Sequence, residues 1–413
     1  MNSTTSNRFH WAWVILGICF LNVFISYSIR LGYAVIMPEM IKNLGFTRTD
    51  SSWVYNAYLL AYVCLAPLAG YLTDRLGGRR VITVCCLILG LGAFCMGLAN
   101  RLWSACAFYA LTGIGAAGMW TPIITMVQRW FAPRLRGTVL GLLGPSFGLG
   151  FAFTGLFFDR IMDAYSWRYP WFGLGMAAVL MSLLSGFLLR SDPQADGYAP
   201  WGTRENPDPQ PQVREATTRP KKNRLLIFKN RDFWLIGFSY SAVSYCLYGI
   251  TTFMVDYAKN ELHLNNTGLL ATIHGVAQAI GILTLLPLSD RLTRKRTLMI
   301  SNAMIAVLVF AIFISGKSWL SLAILIGLMA LFYGATFPLY GACSGDYFPK
   351  EVMGTVIGLW TFMYGFGAMF ANRISGVIRD SSGSYQQAFL IDAVMAGLGF
   401  LLISFVKKKG ESH

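Results

Sequence analysis

Charge is scarce in this sequence. Of 413 residues only 13% are Asp, Glu, Lys or Arg, and no more than 19 are acidic, where a soluble domain carries about 25% charged residues. Histidine is scarcer, with four, and neither these nor the eight cysteines stand at the spacing of a metal site. No Gly-rich loop is placed to cradle a phosphate, and there is no nucleophile–base pair. Cys19, Cys85, Cys86 and Cys246 lie inside apolar runs and read as small buried hydrophobes. These shortages exclude a soluble enzyme, a nucleic-acid binder and a disulfide-stapled secreted domain. They leave no cofactor and no metal to expect.

Apolar surface is what the chain has in quantity: 55% hydrophobic residues, 15% aromatics and 42 glycines, with a mean hydropathy of +0.51. A bilayer-spanning helix takes about 20 apolar residues, and runs of that length begin near Trp11, Ser52, Arg80, Trp103, Arg136, Trp167, Phe233, Gly268, Thr297, Trp319, Val352 and Gln387. The expected fold is an all-α polytopic membrane protein of twelve transmembrane helices. The first run is followed by others and is expected to stay as a helix, not to be cleaved as a signal peptide. Twenty-four of the 34 Lys and Arg fall on one side of this arrangement. By the positive-inside rule that side is cytoplasmic and holds both termini. The net charge of +15 therefore reports orientation in a plasma membrane, the inner membrane of a bacterium, and no nucleic-acid partner.

A polar stretch holding six of the fifteen prolines and the basic run Arg219 to Arg224 interrupts the series. It divides the chain into a six-helix bundle over 1–190, a cytoplasmic linker over 191–228 and a second six-helix bundle over 229–413. The halves repeat. Asp74-Arg75-Leu76 after the second span returns as Asp290-Arg291-Leu292 after the eighth, an offset of 216. Phe131 to Gly141 returns as Phe348 to Gly358, an offset of 217. Parallel six-helix repeats are a transporter architecture with the substrate site at the midplane between them.

The string Gly70-Tyr71-Leu72-Thr73-Asp74-Arg75-Leu76-Gly77-Gly78-Arg79-Arg80 resembles the signature of the major facilitator superfamily. That resemblance implies a cytoplasmic latch, with Asp74, Arg75 and Arg79 as gating residues and Asp290 and Arg291 as their repeat-related partners. Trp11-Ala12-Trp13-Val14 and Arg129-Trp130-Phe131-Ala132-Pro133-Arg134-Leu135-Arg136-Gly137 resemble the monocarboxylate porters and the oxalate/formate antiporters. Two departures mark the chain off from the animal porters. Asn7-Arg8-Phe9-His10 replaces their acidic-glycine lead, and His274 and Gln278 stand where their eighth span carries an Arg–Asp pair.

Arg30 carries the most information. A guanidinium inside a span costs several kcal/mol and marks a cavity or a partner, and it is suited to grip a carboxylate bidentately. Its spacing to Pro38 also resembles span one of organic anion:cation symporters, where the arginine contacts the anionic substrate. Arg373, late in span eleven, is expected to serve the outer end structurally. Around Arg30, aromatic and polar residues at helical spacing suggest a cavity of Trp120, Tyr245, Tyr248, His274, Gln278, Tyr333 and Tyr364. With no ATP site, uphill transport draws on a gradient. His274, nearest the midplane, and Asp392 are the proton-coupling candidates.

The sequence thus reads as a monomeric secondary transporter moving a small organic anion, a monocarboxylate, by alternating access with proton symport. An anion exchanger and a non-transporting sensor of the same fold are the alternatives.

Overall fold

The computed structural model describes residues 10–203, 224–349 and 352–407. Most of the linker's basic run, and Asn7 to Phe9, lie outside these residues. Among the described residues twelve helices are long and apolar enough to cross a membrane. In chain order they are α1 (Trp11–Leu44), α2 (Arg48–Leu76), α3 (Gly78–Met96), α4 (Leu102–Trp130), α5 (Pro133–Ala164), α6 (Arg168–Leu188), α7 (Arg231–Glu261), α8 (Gly268–Leu292), α9 (Arg294–Ser315), α10 (Trp319–Tyr347), α11 (Met353–Ser382) and α12 (Gln386–Ser404). Each begins within four residues of the start read from the sequence. We call the face that carries Trp11 and Ser404 the terminal face and the opposite one the far face.

Local chemistry fixes the helix ends. Gly45 closes α1 with φ of 68°. Thr47 and Asp50 form a reciprocal capping box that starts α2 four residues earlier than hydropathy alone indicates. Three spans are interrupted. α4 breaks between Ala116 and Thr121, α5 between Leu143 and Ser146, and α10 between Gly334 and Thr336. The breaks in α4 and α10 fall at repeat-related positions. Non-helical backbone at membrane depth is tolerated where it lines a cavity or is covered by protein, and both breaks border the site described below.

Two crossings join the halves. α5 meets α8 closely enough that a Cβ on Gly148 would lie 2.1 Å from the Gly275 carbonyl oxygen, and one on Gly155 2.2 Å from that of Gly268. Small residues allow such approach, and here van der Waals contact replaces the hydrophobic drive that lipid removes. α2 meets α11 through the side-chain amides of Asn372 and Asn56, 3.2 Å apart. Among the described residues, every ion pair between 10–190 and 229–407 lies toward the far face. Arg48 pairs with Asp256 at 3.2 Å and Lys259 with Glu39 at 2.9 Å. The backbone N–H groups of Arg48 and Thr49 donate to the carboxylate of Asp380. Toward the terminal face, Gly137 and Gly141 of α5 and Gly354 and Gly358 of α11 have nothing within 4 Å of a virtual Cβ. The halves are closed at the far face and parted at the terminal face.

The repeat extends to single torsion angles. Gly77 between α2 and α3 has φ of 82° and ψ of 148°, and Thr293, at an offset of 216 between α8 and α9, has φ of 82° and ψ of 143°. Only glycine adopts this region without steric cost, and a residue with a Cβ stores roughly 1–3 kcal/mol there. Thr293→Gly is therefore expected to raise the melting temperature of the purified protein by a few degrees, and Gly77→Val to lower it, in intrinsic-fluorescence thermal scans.

Candidate functional site

Arg30 lies nineteen residues along a 34-residue α1, roughly 28 Å from its terminal end at 1.5 Å per residue. Its side chain is buried, with 5% exposure, so it does not reach either interface. Four tyrosine rings surround its guanidinium: Tyr27, Tyr58, Tyr62 and Tyr248, with centroids 5.5, 5.9, 5.2 and 5.5 Å from Cζ. One Nη donates to the Tyr248 hydroxyl. Nε is buried and has no acceptor. No carboxylate pairs with Arg30 among the described residues.

The magnitudes decide what this arrangement is for. Each cation–π contact contributes about 0.5–2 kcal/mol, enough to hold the arginine in place. An uncompensated buried charge costs several kcal/mol even after relaxation. The rings lower that cost without supplying the missing negative charge.

The guanidinium faces a small, partly open cavity between the halves. Arg30, Tyr248, Gln278, Tyr333 and Tyr364 all line it, so the tertiary fold brings five of the sequence candidates together from α1, α7, α8, α10 and α11. Trp120 lines an adjoining lobe that also contains Arg30. Its ring meets Phe147 of α5 at 4.8 Å and Phe337 of α10 at 6.0 Å, a thin aromatic partition on the terminal side of Arg30.

The other candidates stand apart. Tyr245 is buried but does not line the cavity. His274 sits one turn beyond Gln278, edge-on to Phe151 at 5.3 Å and Tyr333 at 5.5 Å, and neither ring nitrogen has a partner. Asp392 is buried with both oxygens unpartnered. A Cβ on Gly249 would lie 2.2 Å from its Oδ1, so Asp392 faces α7 on a side other than the cavity.

Sequence reasoning missed Tyr27, Tyr58, Tyr62 and Phe147. The signal was available: Tyr27 precedes Arg30 by three residues, and Tyr55, Tyr58 and Tyr62 share one face of α2.

At the terminal face Asp74, Arg75, Arg79, Asp290 and Arg291 are exposed. Arg79 donates to the Gly186 carbonyl at 2.9 Å and Arg75 lies over the Tyr71 ring at 4.8 Å. Neither Asp74 nor Asp290 makes an ion pair among the described residues. At the far face the opposite holds. Asp256 is fully buried and accepts from Arg48, from Asn260 at 2.6 Å and from the Tyr385 hydroxyl at 2.5 Å. Arg373, placed by the sequence at this end, lies over the Trp53 ring at 4.7 Å and donates to the Thr49 carbonyl at 3.4 Å.

Comparison with known proteins follows the same lines. The profile described as Major Facilitator Superfamily matches residues 19–267 and 241–413. A probable sulfoacetate transporter of Cupriavidus necator is 25% identical, with 95% of this chain and 93% of that protein covered. A hexuronate transporter of Bacillus subtilis is 22% identical over 94% and 93%. Among solved structures, a bacterial homologue of the human lysosomal transporter Spinster, inward-facing and unoccupied, has a TM-score of 0.74 at 14% identity, covering 96% of this chain and 98% of that one.

The far-face lock yields a direct test. Asp256→Ala leaves Arg48 without its carboxylate, and breaking a buried pair from one side costs about 3–5 kcal/mol. A cysteine placed at Asn56, in a chain freed of its native cysteines, should then react with maleimide at least about tenfold faster than with Asp256 intact. Equal rates would show that the pair does not hold the far face closed.

Proposed function

The chain belongs to the major facilitator superfamily, and on that premise we propose that it carries a small organic anion, a monocarboxylate, by alternating access with proton symport. It is a membrane transporter and not an enzyme. The bilayer is a bacterial inner membrane, and the basic terminal face lies in the cytoplasm, where the positive-inside rule puts it. The protein works as a monomer.

One observation carries the anion assignment. A buried guanidinium, in a cavity between the halves, has an Nε without an acceptor and no acidic partner. An anionic substrate supplies what is missing, through charge-assisted hydrogen bonds to a planar donor fork. Names of relatives agree in kind, since sulfoacetate and hexuronate are small organic anions.

The geometry supports a mechanism. Arg30, Tyr27 and Tyr62 belong to the first half, and Tyr248, Gln278, Tyr333 and Tyr364 to the second. A substrate that neutralises Arg30 while touching the second half favours the conformation in which both halves close on it. A ligand shifts a conformational equilibrium only by such differential contact. With the far face locked, substrate exchanges with the cytoplasm past Trp120 and Phe337. Closure there brings the exposed latch residues Asp74, Arg75, Arg79, Asp290 and Arg291 into use while the pairs around Asp256 and Glu39 release.

His274 is assigned the transported proton, with Asp392 as its competitor. The imidazole lies between rings from both halves, and Tyr333 touches both it and the cavity. A proton on this ring is stabilised when the substrate's negative charge occupies the neighbouring cavity, and both leave together.

Arg30→Ala should abolish uptake into proteoliposomes and weaken anion binding by about two orders of magnitude. Arg30→Lys should restore only part, because the fork is lost. Unchanged uptake in the alanine variant overturns the anion site. His274→Gln should keep exchange of internal for external substrate but lose accumulation driven by a pH gradient. Retained accumulation moves the proton to Asp392 or to the substrate.

A further inference from the structure

We propose that the substrate is a hydroxylated monoanion, a carboxylate with at least one hydroxyl away from the charged end, and that Gln278 is the residue that recognises the hydroxyl. This rests on the Arg30 reading above and narrows it.

Two buried polar groups in the cavity lack partners. One is Nε of Arg30, on α1 of the first half. The other is Oε1 of Gln278, on α8 of the second half, 5% exposed and without a hydrogen bond. Such groups are rare in folded proteins, and a pair lining one cavity points to a ligand that satisfies both. Gln278 is also held in place. α8 and α10 approach so closely that a Cβ on Gly334 would lie 2.2 Å from the Gln278 carbonyl oxygen, so the amide is presented from a fixed backbone.

An amide can turn either its oxygen or its nitrogen to the cavity. A hydroxyl donates and accepts, so it matches both orientations. Beyond Arg30 no charged side chain lines either lobe. A second anionic group has no cation to meet. It finds only neutral donors there, the hydroxyls of Thr361 and the tyrosines and the Gln278 amide. A purely aliphatic acid meets Arg30 but leaves Gln278 buried and unpaired, which is the situation in which sites reject an analogue lacking a hydroxyl. The bound hydroxy acid also bridges the halves, from Arg30 on one side to Gln278 on the other, so the group that gives selectivity also couples binding to closure.

The test uses the full chain and two matched sets of acids. The three-carbon set is glycerate, propionate and malonate; the six-carbon set is gluconate, hexanoate and adipate. Binding is measured by isothermal titration and by competition in proteoliposomes. The expected result is that the hydroxy acid of at least one set binds about tenfold or more tighter than both its aliphatic and its dianionic counterpart. In Gln278→Met that preference should fall to within about twofold, through weaker binding of the hydroxy acid and tighter binding of the aliphatic acid, which no longer leaves a buried amide unpaired. Gln278→Asn, which draws the amide back by one methylene, should give an intermediate preference; both variants are checked for monodisperse folded protein.

An aliphatic or dianionic acid that binds as tightly as its hydroxylated counterpart in both sets overturns the proposal. A hydroxy-acid preference that survives both substitutions overturns the role of Gln278. If aliphatic acids bind in an Arg30-dependent way and hydroxy acids do not, this inference fails while the Arg30 reading stands. If no acid binds, both fail.

Discussion

A positive charge held at membrane depth without a counter-charge is the constraint on which this structure depends. Lipid offers Arg30 no solvation, and its side chain is buried in the packed helices, so bulk water does not supply it either. The protein compensates with aromatic faces. Tyr27 from the same helix, Tyr58 and Tyr62 from α2 and Tyr248 from α7 surround the guanidinium. These neighbours are neutral, so the site keeps a net positive charge that a carboxylate inside the cage would have cancelled. Leaving the compensation incomplete makes the cavity a place for an anion.

The halves around that charge are built to meet in two ways. From mid-span toward the far face Gly148 and Gly155 let α5 lie against α8, and at the far face buried Asp256 binds Arg48 across the junction. Toward the terminal face α5 carries Gly137 and Gly141, eleven and seven residues before Gly148, where an added Cβ would meet nothing within 4 Å. Residues seven and eleven apart share one face of a helix, so the bare surface continues the packed one. α11 repeats the arrangement with Gly354, Gly358 and Gly365, of which the last touches Val63 of α2. A surface that pairs at one end and is bare at the other can exchange one contact for the other at little net cost, and alternating access needs that property.

The positions of the two candidate proton carriers follow from the same packing. His274 is trapped where α5 and α8 cross, between a ring from each half. Asp392 is trapped where α12 crosses α7 at Gly249. The first lies where the halves meet, and the second lies inside the second half. In the proposed mechanism a proton at the interface between the halves has its environment changed by each turnover, whereas one inside a half that moves as a unit does not. This distinction is the physical ground for ranking His274 above Asp392.

The sequence by itself determined the number of the helices and roughly where each begins, because the length of an apolar run is set by bilayer thickness and needs no tertiary information. It also determined the internal repeat, through Asp74-Arg75-Leu76 and Asp290-Arg291-Leu292, and it singled out Arg30, since a charge within an apolar run is conspicuous in one dimension. The matching torsions at Gly77 and Thr293 appear only in the folded chain. Most of the cavity could be anticipated: Tyr248, Gln278, Tyr333, Tyr364 and Trp120 lie on polar or aromatic helix faces. Tyr245 lies one turn before Tyr248, and only the packing of the helices separates the two, because helical periodicity gives a face without saying which neighbour that face meets. The tyrosine cage escaped for the same reason: Tyr58 and Tyr62 of α2 read as ordinary core until α1 is laid beside them. Which face of the molecule is closed was likewise decided by tertiary structure alone. The carboxylates at both ends are present in the sequence, but pairing requires a distance, and only the packed halves supply it.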